Sequence, residues 1–233
     1  MVTFSEAQLM GWLSAVIWPF LRVLALMTSA PGFATRAIPM RVKIGLSFLV
    51  ALSVWGLVPG VATVRIDSPG AVAAALQQVS IGLAVGFVAR LIVATAELAG
   101  ELIGLQMGLN FAAFFDPVAN TQSSAVSRLF GQIALMLLVI AHVHIVLLMV
   151  VVRSFEYFPV SADGLSAIGG LHLHELGAEV FAGAFWIAIP VIALLMFANL
   201  VLGFISRIAP QMNIYSIGFP VTVVLGMLAL TGI

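Results

Sequence analysis

Residues 100–117 read GELIGLQMGLNFAAFFDP. Ala96, Gly100, Gly104, Gly108 and Ala112 recur every four residues. On a helix that spacing lines small side chains along one face and lets a neighbouring backbone approach closely. Phe111, Phe114 and Phe115 then crowd the end, Asp116-Pro117 blocks further helix, and the polar VANTQSS of 118–124 turns the chain. The stretch predicts a helical hairpin in apolar surroundings, with aromatic bulk and Met107 at its tip. Spacing alone leaves two uses for that tip. It favours an aromatic anchor at a membrane interface over a plug in a pore. The small-residue stripe favours an assembly face in a multi-subunit complex over packing within one chain, although such stripes do not name their partner.

Composition carries the apolar setting to the whole chain. Of 233 residues 63% are hydrophobic and 8% charged, and mean hydropathy is +1.22. A soluble domain carries about a quarter charged residues. This much apolar surface calls for lipid or partner protein as its solvent. The formal net charge of zero argues against a nucleic-acid partner, and the absence of cysteine excludes disulfides, thiolate metal sites and cysteine nucleophiles. The start MVTFSEAQLMGW has Glu6 and no basic residue before Arg22, unlike a cleavable signal peptide.

Apolar segments fall at about 9–30, 44–64, 71–115, 129–152, 180–206 and 217–233. Their length without period-2 alternation predicts an all-α membrane fold in a single domain over 1–233. The polar stretch 153–179 is expected to form a short interfacial helix with turns. With the loop at 31–43 in the cytoplasm, Arg36, Arg41, Lys43, Arg128 and Arg207 lie inside against Arg65 and Arg153 outside, a positive-inside bias.

Few residues offer chemistry. Arg90, Glu97 and Glu101 sit at i, i+7 and i+11 and so share a helix face. A relay for protons or ions is the sharper reading, but no acidic or histidine ladder continues on other segments. Polar contact with partner helices is preferred, since each charge facing lipid at mid-bilayer costs about 2.5–3.5 kcal/mol on insertion scales. His142 and His144, at i and i+2, are expected on opposite sides of a helix, and HLHE at 172–175 shows no third ligand for a metal. No HExxH, GxSxG or phosphate-cradling glycine loop is present in the sequence. No catalytic residue, metal or cofactor is assigned. A secondary transporter and a membrane-embedded enzyme are the rival classes. The first lacks an internal repeat and the second a nucleophile–base pair.

Three stretches resemble the FliR family of flagellar type III export-gate proteins: RVLALMTSAPGFATRAIPMRVKIGLSF (22–48), GELIGLQMGLNFAAFFDPVANTQSSAVSRLFG (100–131) and RIAPQMNIYSIGFP (207–220). The resemblance covers nearly the whole chain in order. The injectisome homologue shares the plan, and IGFP at 217–220 is more similar to the flagellar branch. The resemblance implies a non-enzymatic pore subunit that assembles with FliP and FliQ, beside an FlhB-like gate component, in the inner membrane at the flagellar basal body. The assembly forms the conduit for unfolded flagellar subunits, and the family's hairpins pack into a cone raised largely out of the bilayer. The resemblance also implies that the tip, with Met107, Asn110, Phe111, Phe114 and Phe115, plugs the channel at rest. Gly100, Gly104 and Gly108 would then give tight packing and a pivot, with Asp116 and Pro117 fixing the turn. Arg90, Glu97 and Glu101 would face partner helices. Family members continue past the last apolar run, so a C-terminal tail beyond Ile233 is expected.

Overall fold

Helix-terminal chemistry sets the first element. Ser5 accepts a hydrogen bond from the Gln8 backbone N–H at 3.3 Å, and the Gln8 side chain returns to the Ser5 N–H at 3.1 Å. This reciprocal capping box opens α1, Glu6–Ser29. The computed structural model describes residues 5–35, 37–55, 64–109, 124–161, 173–209 and 214–232. Among the described residues every regular element is helical. After α1 come α2 (Met40–Trp55), α3 (Ala71–Gln106), α4 (Ala125–Ile140), α5 (Val143–Tyr157), α6 (Leu173–Ile208) and α7 (Ile214–Thr231).

On α2 and α6 burial runs opposite to that of a soluble protein. On α2 the buried face is Lys43, Ser47, Ala51 and Val54, whereas Ile44, Phe48, Leu49, Leu52 and Trp55 are exposed. On α6 Ala184, Ala188 and Val191 are buried, whereas Phe181, Phe185, Trp186, Phe197 and Phe204 are exposed. Small residues permit close helix contact, while large apolar ones meet a medium as apolar as themselves. Length agrees: α1 (over Gln8–Ser29), α3 and α6 (over Glu175–Ile208) are long and apolar enough to cross a membrane. The pair α4 and α5 makes a fourth span if counted as one, although its axes bend by 67°.

That bend differs from the single run expected over 129–152. His142 adopts a left-handed conformation, φ 55° and ψ 28°, at the start of α5. Its N–H donates to the Val139 carbonyl at 3.0 Å, a tightened turn that ends α4. The same break brings the His142 and His144 ring centroids to 6.0 Å, instead of setting them on opposite sides of one helix. The expected interfacial segment also reads differently at both ends. Helix α5 continues through Arg153 and Glu156 to Tyr157, and α6 begins at Leu173.

The chain divides into two compact units, Met1–Leu91 with Leu135–Leu173, and Ile92–Ala134 with His174–Ile233. In the first unit, Val23, Leu26, Met27, Ala89, Leu147 and Val151 form one apolar cluster, and Trp18, Val54, Ala74, Phe155 and Val160 a second. In the second unit the core is built from Ala99, Ile103, Met107, Val126, Ala184, Ala188, Val191 and Leu195.

Candidate functional site

The second unit holds the α3–α4 stem, to which residues 100–109 of the opening stretch belong. A Cβ at Gly100 would lie 2.7 Å from the Ser127 Cα, and one at Gly104 would lie 2.7 Å from the Ser124 hydroxyl oxygen. Both glycines are therefore contact points between α3 and the first turn of α4. Gly108 does something else. Its φ is +79°, its N–H donates to the Leu105 carbonyl at 3.0 Å, and the Leu109 N–H donates to the Gly104 carbonyl at 3.1 Å. These two bonds make a Schellman stop with Gly108 just past the helix end. Helix α3 thus ends at Gln106, ahead of the Asp116-Pro117 stop that the sequence suggested.

Ser124 opens α4. Its hydroxyl accepts from the Ser127 N–H at 3.0 Å, the N-cap to N3 pairing, and its own N–H donates to Glu101 Oε2 at 3.0 Å. The Ser127 hydroxyl donates to the Glu97 backbone carbonyl at 2.8 Å. Met107 is 1% exposed, and a Cβ at Gly226 of α7 would lie 2.7 Å from its side chain. Beside it runs a groove of about 620 Å³ lined by Gln106, Gly108, Asn199, Gly203 and Phe219. Of the residues expected at the tip, Met107 is described; Asn110, Phe111, Phe114, Phe115, Asp116 and Pro117 lie outside the described residues. Arg90 is exposed, as is Glu97, whose side chain sits beside Gly131, and Glu101 is half-buried against the α4 start.

A second cluster, in the first unit, went unread in the sequence. Arg22 of α1 is fully buried. Its Nε–H donates to Gln78 Oε1, one terminal nitrogen to the Ser154 hydroxyl and the other to the Phe158 carbonyl, each at 2.8 Å. The guanidinium carbon lies 3.6 Å from the centre of the Phe155 ring. Gln78 donates to Gln77 Oε1 at 3.0 Å. The Gln77 amide donates to the Pro159 carbonyl at 3.1 Å, and its oxygen accepts from the Ser161 N–H at 3.1 Å. A cation in an apolar interior is tolerated when its donors are directed in this way and a ring face covers it. The available signals were a lone arginine in an apolar segment and the Gln77-Gln78 pair, neither of which names the other. Among the described residues no group of three or more His, Cys, Asp or Glu side chains is placed to hold a metal ion.

Comparison with known proteins adds a family to this geometry. The model for bacterial export proteins, family 1, matches residues 13–233. The flagellar biosynthetic protein FliR of Pectobacterium carotovorum subsp. carotovorum is 39% identical over 230 residues, covering 99% of this chain and 88% of that protein. FliR of Escherichia coli strain K12 is 37% identical over 227 residues, covering 97% and 87%, respectively. FliR of Buchnera aphidicola subsp. Acyrthosiphon pisum is 36% identical over 230 residues, covering 99% and 89%. The chain belongs to the FliR family of bacterial export proteins.

Proposed function

We propose that the chain is a non-enzymatic subunit of the flagellar type III protein export gate, embedded in the bacterial inner membrane. There it assembles with FliP- and FliQ-type subunits, next to an FlhB-like component, into the channel that passes unfolded flagellar subunits. Family membership across 13–233 carries this reading. The exposure of bulky apolar residues on α2 and α6 supports membrane and partner contact. Exposed Arg90, midway along the apolar α3, suits a partner helix that offers it a polar acceptor.

Within that gate Asn110, Phe111, Phe114 and Phe115 act as the plug, and the buried Met107 anchors the base of their segment against α7. The support is local: Gly108 ends α3 and Ser124 begins α4, and Gly104 touches Ser124. The chain between them therefore leaves and returns at one place. Bulky apolar side chains in a narrow pore exclude ions by dewetting. Replacing Phe114 and Phe115 together by alanine is expected to let the reconstituted closed gate leak ions. Conductance equal to that of the wild-type gate would sink the plug.

A further inference from the structure

In the usual reciprocal cap, a Glu or Gln at N3 reaches back to the N-cap N–H. Helix α4 has Ser127 at N3, and that hydroxyl is turned to the Glu97 carbonyl at 2.8 Å. The acceptor for the Ser124 N–H comes instead from a different helix, Glu101 Oε2 of α3 at 3.0 Å.

We propose that Glu101 is the positioning residue of the hairpin. It is a capping acid supplied across the stem, fixing where α4 begins and so the point to which the plug segment returns. The proposal rests on the plug reading above.

Three features of the site argue for it. A carboxylate oxygen at a helix N-terminus meets free N–H groups that have no partner within the helix, so this position calls for an acceptor. The stem is closed on either side of the contact: Gly100 touches Ser127 and Gly104 touches Ser124. An added Cβ at either glycine would displace the α4 start away from the carboxylate. The neighbouring acid does not serve the same end, since Glu97 is exposed and its side chain lies beside Gly131, in the second turn of α4. Glu101 is therefore the group that ties the last described turns of α3 to the first residue of α4. A partner-facing role, which the sequence suggested for it, is not needed to account for an acid at this position.

The test compares Glu101→Ala with Glu101→Gln in the assembled gate. It reads amide hydrogen exchange over 124–131 and ion leak through the closed channel. Losing the acceptor is expected to speed exchange at the Ser124 and Ser127 amides roughly five- to tenfold, the size of a lost helix cap. It is also expected to open a leak like that of the phenylalanine variants. Glutamine retains an acceptor oxygen and is expected to stay within about twofold of wild type in exchange. Should E101A fail to assemble, the same exchange is read on the isolated chain in detergent. Wild-type exchange in E101A overturns the cap, as does a glutamine variant as fast as the alanine one. Faster exchange without leak, in a gate that the phenylalanine variants do open, overturns the positioning role. If neither E101A nor the phenylalanine variants leak while E101A exchange is fast, the plug reading fails and the cap stands.

Discussion

The two units solve the same problem, holding apolar helices together, by different chemistry. In the first, α1 is tied to α3, α5 and residues 158–161 by side-chain hydrogen bonds that converge on Arg22, Gln77 and Gln78. In the second, α3 meets α4 through Gly100 and Gly104, and α7 closes over Met107 at Gly226. Hydrogen bonds are directional and lose most of their value when one partner shifts, so the Arg22 web specifies one arrangement. Contacts between small residues depend on distance alone and permit sliding or pivoting until side-chain volume is added. The proposed plug stem rests on close glycine contact, with its two inter-helix hydrogen bonds at the first turn of α4. The side-chain web of the first unit and the glycine contacts of the second are thus separate stretches of one chain.

The largest effect expected from breaking this contrast is at Arg22. Arg22→Met keeps most of the side chain's apolar volume but leaves the acceptors at Gln78, Ser154 and Phe158 without their donor. Each buried unpaired acceptor costs about 1–3 kcal/mol, so destabilisation of about 3 kcal/mol or more is expected. Limited proteolysis and thermal melting of the purified chain would read it. Arg22→Lys is expected to rescue poorly, because a single ammonium cannot replace a planar fork that spans three directions. Stability equal to wild type in both variants would show that the web is incidental.

A smaller effect is expected at the stem. In Gly100→Ala the new methyl meets the Ser127 backbone, which has no rotamer to retreat into. Overpacking of this kind costs about 1–3 kcal/mol. The matched control is Gly45→Ala on α2, where nothing lies within 4 Å of the added Cβ. That change is expected to stabilise the isolated chain by about 0.5–1 kcal/mol, as alanine does in a helix interior. If the two substitutions have equal effects, small-residue contact does not distinguish the stem.

The sequence made some of this legible and hid the rest for identifiable reasons. Apolar runs free of alternation give helices reliably, and Gly100 and Gly104 read as packing points because i, i+4 spacing maps directly onto one face. Gly108 falls on the same spacing, yet it is the helix stop. Periodicity cannot separate a glycine that is packed from one whose φ is positive. The Arg22 web joins residues 56, 132 and 136 positions apart. No local pattern carries such a pairing. Glu101 was visible as a charge in an apolar run, but its partner is a backbone N–H, which every residue but proline offers.

The break between α4 and α5 was hidden for a related reason, and it yields the smallest effect. Kinks are usually announced by proline or glycine, and residues 138–145, LVIAHVHI, hold neither. The turn is made by His142 at φ 55°, the only positive-φ residue other than glycine among those described. No side chain caps α5 there. An ordinary side chain in that region of backbone space costs about 1 kcal/mol, asparagine less and glycine nothing. His142→Gly is therefore expected to raise the melting temperature of the purified chain by a few degrees, corresponding to at most about 1 kcal/mol, and His142→Asn by less. His142→Val is expected to lower it, since a β-branched residue is disfavoured at positive φ. The reverse order, with valine the most stable, would mean that α4 and α5 prefer to run on as one straight helix, as the apolar run from 129 to 152 first suggested.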